Sequence, residues 1–176
     1  AGIEVVQLID FDLAARGLNP GYFKRREEGR PYVRCKLAMS LDGRTALANG
    51  ESKWISGPQS RSDVQRLRAA SSAVLTGIET VLADDPTLNV RREELALDSE
   101  ELALNQVALS RQPLRVILDS RFRTPDTAKI LEAPGEVKIF GVEALDSAKA
   151  PTTNVEYRRF ETGGKRVDLY SVLESL

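Results

Sequence analysis

Arg68 and Arg91, with the hydroxyls of Ser52, Thr80 and Ser120, are the residues of this chain best suited to hold an anion. A guanidinium is a planar fork of donors that matches phosphate, and a Ser or Thr hydroxyl completes such a site. Trp54, the single tryptophan, offers a face for a planar ring. Lys36 and Asp84 supply a base and an acid that could handle a proton if they converge. Histidine is absent, so acid–base chemistry falls to Asp, Glu, Lys or Tyr. Ser-His-Asp triads, Cys–His pairs and imidazole zinc sites are thereby excluded. The lone Cys35 cannot form an internal disulfide or a thiolate cluster.

Each of these residues has a plainer reading. A lone Trp is more often core than ligand platform. Arg61, Arg66 and Arg68 could form a solvated helix face, and Lys36 an exposed strand position. Asp84 could simply help to stop a helix ahead of Asp85-Pro86. No GxGxxG fingerprint and no P-loop is present. Residue types alone therefore lead to a ligand-binding α/β domain and no further.

The elements that must carry these residues are legible in outline. Ile3, Val5 and Val6 suggest a short strand, and residues 10–29 read as helix and loop with the charged run Lys24 to Glu28 as a solvated face or linker. From Tyr32 to Leu41 apolar and polar residues alternate, with Val33, Cys35, Leu37, Met39 and Leu41 on one face. Period two predicts a half-buried strand. It places Lys36, Ala38 and Ser40 on the other face, with the small Ala38 leaving room against the backbone. Asp42-Gly43 closes it with a tight turn. Ser56-Gly57-Pro58-Gln59 reads as a capping box at a helix start. Strands are expected at 73–77, 114–118, 137–141 and 155–160, and helices at 78–83 and 167–176. Residues 93–112, rich in Glu, Leu and Ala, show no obvious site and read as a surface insertion or mobile helix. Short apolar strands alternating with helices predict an α/β domain with a largely parallel sheet. Ligands of such sheets bind beyond the carboxyl ends of the strands, where residues 40–54, 77–91 and 119–120 fall.

Length and charge bound the rest. The 176 residues suit one domain, or one domain with appendages. Lys and Arg number 25 against 26 Asp and Glu, a net charge of −1, which does not suit a general nucleic-acid binder. No apolar run approaches a membrane span. The opening AGIEVVQLIDFD carries acids where a signal peptide carries bases, so a cytoplasmic setting is expected.

Five longer motifs say more. KLAMSLDGRTA, GESKWIS, DVQRLRA and TGIETVLADDPTLNVR follow one another between Lys36 and Arg91, and PLRVILDSR follows at Pro113 to Arg121. In this order and spacing the chain closely resembles the reductase domain of the bifunctional riboflavin-biosynthesis deaminase–reductases. The resemblance implies a dihydrofolate-reductase-like, three-layer α/β/α fold. It implies NADPH-dependent reduction of the ribose of 5-amino-6-(5-phosphoribosylamino)uracil to a ribityl chain. Ala38, Trp54, Thr80, Asp84 and Ser120 match the family's cofactor contacts. Ser52, Arg68, Leu88 and Arg91 match its substrate contacts. Lys36 and Asp84 flank these positions and are the expected proton-handling residues.

The resemblance also implies a division of the chain. Residues 1–30 resemble the end of a deaminase domain plus linker, and 31–176 the reductase domain. The deaminase's zinc site needs a His, two Cys and a catalytic Glu. With no His and one Cys, this chain is expected to lack it, so zinc belongs only to that absent half. The family's reductase continues into a further strand and Gly-rich turn, so the fold is expected to be C-terminally incomplete. The family's dimers suggest self-association. Two alternatives stand beside this reading: a noncatalytic nucleotide-binding fragment of the same fold, and a related dihydrofolate-reductase-like enzyme acting on a pteridine or another pyrimidine. The arginines favour a phosphorylated substrate.

Overall fold

A computed structural model describes residues 2–6, 11–98, 100, 110–147, 149, 153–161 and 164–176. The chain forms two compact units: Ala1–Lys36 with Leu169–Leu176, and Leu37–Asp168.

In the first unit, α1 (Asp12–Leu18) and α2 (Pro20–Glu28) break at Asn19. Pro20 has no N–H to offer α1, and its fixed φ suits the first turn of a new helix. α2 ends on Gly29 at φ 70°, the left-handed position that glycine adopts without a Cβ penalty. Arg16 ties the pair together, bonding Asp12 at 2.8 Å and Glu27 at 2.7 Å. The expected strand at Ile3–Val6 is not formed: the segment is exposed and irregular.

The second unit is built on a parallel sheet of four strands in the order β1-β2-β3-β4. These are Ala73–Gly77, Leu114–Leu118, Val137–Gly141 and Val155–Arg159, matching the expected segments. Between them lie α4 (Ile78–Asp84) and α5 (Lys129–Glu132), while α3 (Pro58–Ala69) precedes β1. α6 (Leu169–Glu174) belongs to the first unit. The core gathers Ile78 and Val81 of α4, Ile117 of β2, Val137 and Ile139 of β3, and Ile130 of α5. Central parallel strands are covered on both faces and so read as apolar runs, as β2 and β3 do.

Arg115 interrupts that run from inside β2. Its guanidinium is buried and donates to the carbonyls of Ile130 (2.6 Å), Ala133 (2.7 Å) and Gly135 (2.6 Å). These lie in and just after α5, where helix geometry leaves carbonyls unpaired. Burial pulls the Arg115 pKa down, yet an arginine so placed stays charged.

Two further expectations are corrected. The segment 33–41 forms no strand, because none of its backbone joins a ladder among the described residues. Its would-be inward residues are exposed, Leu37 and Met39 included. Alternation offers a face to bury, but only a hydrogen-bonded neighbour makes a strand of it. The turn itself forms: the Gly43 N–H donates to Ser40 O at 2.9 Å, with Gly43 at φ 79°. At α3 the N-cap is Gly57 without a side-chain cap, not Ser56. Pro58 still opens the helix, and Ser56 instead offers its carbonyl to Arg61 Nη1 at 2.9 Å.

Candidate active site

Side chains from several elements bond to the loop from Asp85 to Arg91. It begins as α4 ends on Asp85 in the left-handed region, φ 42°. The Asp85 carboxylate accepts the backbone N–H of Lys129 at 2.9 Å and pairs with the Lys129 ammonium at 3.0 Å. These bonds, the backbone one foremost, hold the Asp85 carboxyl below its usual range. Leu88, at φ 52°, packs against the core.

Three side chains then hold three successive residues. Arg68 Nη1 donates to Asn89 O at 3.2 Å. Gln112 accepts the Val90 N–H at 2.8 Å and donates to Val90 O at 3.3 Å, so its amide takes the place of a strand neighbour. Gln65 accepts the Arg91 N–H at 3.1 Å. Val90 and Leu95 are buried together, with Ala69 of α3 packed against them.

This geometry brings Arg68, Leu88 and Arg91 onto one framework. Burial lowers the Arg68 pKa first, and the charge of Arg91 lowers it further, with Glu94 opposing. Two cations are thus held within range of mutual repulsion. Glu94 gives Arg91 a partner at 2.9 Å. Yet Arg91 Nε is buried without a hydrogen bond, as are Asn89 Oδ1 and Ser62 Oγ. Buried donors and acceptors are ordinarily satisfied, and on this loop Arg91 Nε and Asn89 Oδ1, two residues apart, are not.

The other expected residues lie on segments of their own. Trp54 is 70% exposed, with the Arg61 guanidinium 4.4 Å from its ring centroid, so the core reading does not hold. Ser52 is half-buried on the same loop, and Ala38 is half-buried before it. Thr80 and Asp84 are exposed on α4 at a spacing of four, which puts them on one face. Ser120 stands just past β2, where it joins strand ends: its carbonyl accepts the N–H groups of Val142 and Glu143, and its hydroxyl accepts that of Val167 at 3.1 Å. Lys36 is exposed and belongs to the first unit, Asp84 to the second.

A model of the RibD C-terminal domain matches residues 31–176. The chain belongs to the RibD C-terminal domain family. The riboflavin biosynthesis protein RibD of Haemophilus influenzae is 48% identical over 152 residues, which cover 86% of this chain and 40% of that protein. A solved structure of Acinetobacter baumannii RibD is 45% identical with a TM-score of 0.73, covering 99% of this chain and 43% of that one. The deaminase/5-amino-6-(5-phosphoribosylamino)uracil reductase of Thermotoga maritima is 28% identical with a TM-score of 0.74, at the same coverage of 99% and 43%. This chain therefore spans about two fifths of the length of its RibD relatives. Its α/β fold with a parallel sheet is that of the RibD reductase domains, which are dihydrofolate-reductase-like.

The hydrogen bonds also reveal residues that sequence patterns did not single out. Gln65, Glu94 and Gln112 bond to the residues from Val90 to Glu94, although 93–112 had no apparent site. Of that stretch, 99 and 101–109 lie outside the described residues.

Proposed function

We propose that this domain reduces the ribose of a phosphorylated pyrimidine riboside, 5-amino-6-(5-phosphoribosylamino)uracil, with NADPH as reductant. The observation that carries the reading is the paired arginines, Arg68 and Arg91, on a rigid loop with a buried, unbonded Arg91 Nε. A phosphate is the ligand that relieves both the repulsion and the missing bond. Ser52 and Leu88 complete the substrate set in this reading, and a folate-type substrate has no phosphate for the arginines.

The residues at the strand ends fit a dinucleotide in kind. Trp54 offers an exposed ring, and Thr80, Asp84 and Ser120 offer polar groups near the paired ends Gly77 and Leu118. A Cβ added at Gly77 would meet nothing within 4 Å, so the backbone there is open to close approach. With Ala38, these residues are the proposed holders of NADPH, which when bound supplies the hydride. The substrate's anomeric carbon accepts hydride only after the sugar ring opens to an aldehyde or imine, and the adjoining heteroatom then needs a proton. Lys36 and Asp84 are the proposed proton-handling residues. Within the longer chain, residues 1–30 are read as the end of a preceding domain with its linker, 31–176 as the reductase domain, and the active form as a cytoplasmic homodimer.

The test is a titration of the chain with NADPH, following Trp54 fluorescence. Saturable quenching, weaker with NADH, supports the cofactor site, and an unchanged signal counts against it. Binding of phosphorylated against dephosphorylated substrate then tests the arginines. The phosphate should be worth about 1.5–3 kcal/mol per charge-assisted hydrogen bond, and equal affinities would overturn the assignment. Single-turnover hydride transfer in Lys36→Ala at normal cofactor affinity decides the role of Lys36, since an unchanged rate removes it.

A further inference from the structure

We propose that Gln65 is a positioning residue that presents Arg91 to the phosphate of the ligand. The inference rests on the reading of Arg91 as a phosphate contact and adds to it the group that aims it. Gln65 is 1% exposed, on the inward side of α3. A Leu or Met would fill that volume without the cost of burying an amide, which needs partners for both its ends. Both ends here go to a single turn of the site loop. Gln65 Oε1 accepts the Arg91 N–H at 3.1 Å, and Gln65 Nε2 donates to Glu94 Oε2 at 3.1 Å. The same Glu94 oxygen pairs with Arg91 Nη2 at 2.9 Å. Backbone and guanidinium of Arg91 are therefore both referred to one amide.

The turn gives this closure its stiffness. Residues 92–94 form a 3-10 turn that starts from Arg91, with the Glu94 N–H on Arg91 O at 3.1 Å. Arg91 and Glu94 stand three apart on it, so their side chains meet. Gln65 locks that meeting from α3, while the buried Arg91 Nε is left unbonded. An arginine side chain loses substantial rotamer entropy when a ligand freezes it, and a side chain frozen beforehand does not incur that loss on binding. Gln65 does this without touching the ligand.

The experiment uses the chain with 15N-labelled arginine and ribose 5-phosphate as probe. The Arg91 Nε–H resonance, assigned by its loss in Arg91→Met, should move saturably with ribose 5-phosphate and stay put with ribose. If it stays put with both, the phosphate reading of Arg91 fails, and the inference with it. If it moves, Gln65→Met tests the inference alone. This swap keeps the volume and removes both hydrogen bonds, and affinity should fall about tenfold, the equivalent of one lost bond. Against Arg91→Met, the same swap should add no further loss, as for two residues acting as one unit. Unchanged affinity in Gln65→Met overturns the inference, and so does an equal loss in both backgrounds.

Gln65→Glu gives a second route should Gln65→Met fold poorly. Its charged partners are Glu94 and Arg91, and Arg68 acts on both of these. A protonated Glu donates to Glu94 as the amide does, whereas an ionised one repels it. Affinity relative to the unsubstituted chain, compared at the same pH, should recover toward acid pH. A ratio constant with pH would show that the amide's donor end has no part in aiming Arg91.

Discussion

Arg68 and Asn89 are joined by a hydrogen bond of 3.2 Å from guanidinium to backbone carbonyl, and this bond ties α3 to the loop that carries Arg91. A cation largely removed from water is spent on a neutral oxygen, next to another cation. Stability alone does not favour that arrangement, because burial and repulsion both oppose the charge. A bound phosphate, as proposed above, would favour it.

Arg68→Met should therefore separate stability from binding. The swap removes a buried charge and its repulsion with Arg91 but leaves Asn89 O without its donor, and these effects oppose each other. Thermal unfolding should show a change of no more than about 1 kcal/mol. Ribose 5-phosphate affinity should fall at least about tenfold. A large loss of stability with unchanged affinity would make Arg68 a structural residue.

Gln112→Leu should loosen the same loop from its other side. Val90 is buried, and the swap leaves its N–H and carbonyl without the amide that pairs them. The expected cost is about 1–3 kcal/mol, read from urea unfolding. Amide exchange should quicken at Val90 and Arg91 before it does in β2 or β3.

Gly141→Ala tests the packing at the end of β3. A Cβ there would come within 2.4 Å of the Phe122 ring, which is itself buried at φ 53°. Overpacking of this kind costs about 1–3 kcal/mol. A smaller ring site should relieve it, so Gly141→Ala should cost less when paired with Phe122→Leu. Additive losses in that double mutant would show that the clash is not the cause.

Asp85 predicts an acid limb of stability. Its folded pKa is depressed by bonds from Lys129. A depressed carboxyl contributes stability that is present above its unfolded value and lost as pH falls through the folded one. The Tm should accordingly fall as pH is lowered below about 4, and it should fall less steeply in Asp85→Asn. Identical pH profiles for the two proteins would remove Asp85 from the acid limb.

The strands of the sheet were legible in the sequence because central parallel strands are mostly apolar, as 114–118 and 137–141 are apart from Arg115 and Lys138. Arg68, Leu88 and Arg91 were legible because DVQRLRA and TGIETVLADDPTLNVR carry them in the family's order. The segment 33–41 was misleading for a physical reason: alternation records which face could be buried, whereas a strand exists only where a neighbour supplies hydrogen bonds. Gln65, Glu94 and Gln112 could not be found by type, since glutamines and glutamates are common on surfaces. Their roles depend on α3, the 92–94 turn and the approach to β2 meeting around one loop. Local pattern determined the α/β class and the sheet segments, because those follow from nearest neighbours along the chain, whereas the family resemblance pointed to the arginines. Only the tertiary structure decided which amides hold the arginines in place, because hydrogen bonds between residues more than twenty positions apart leave no period in the sequence.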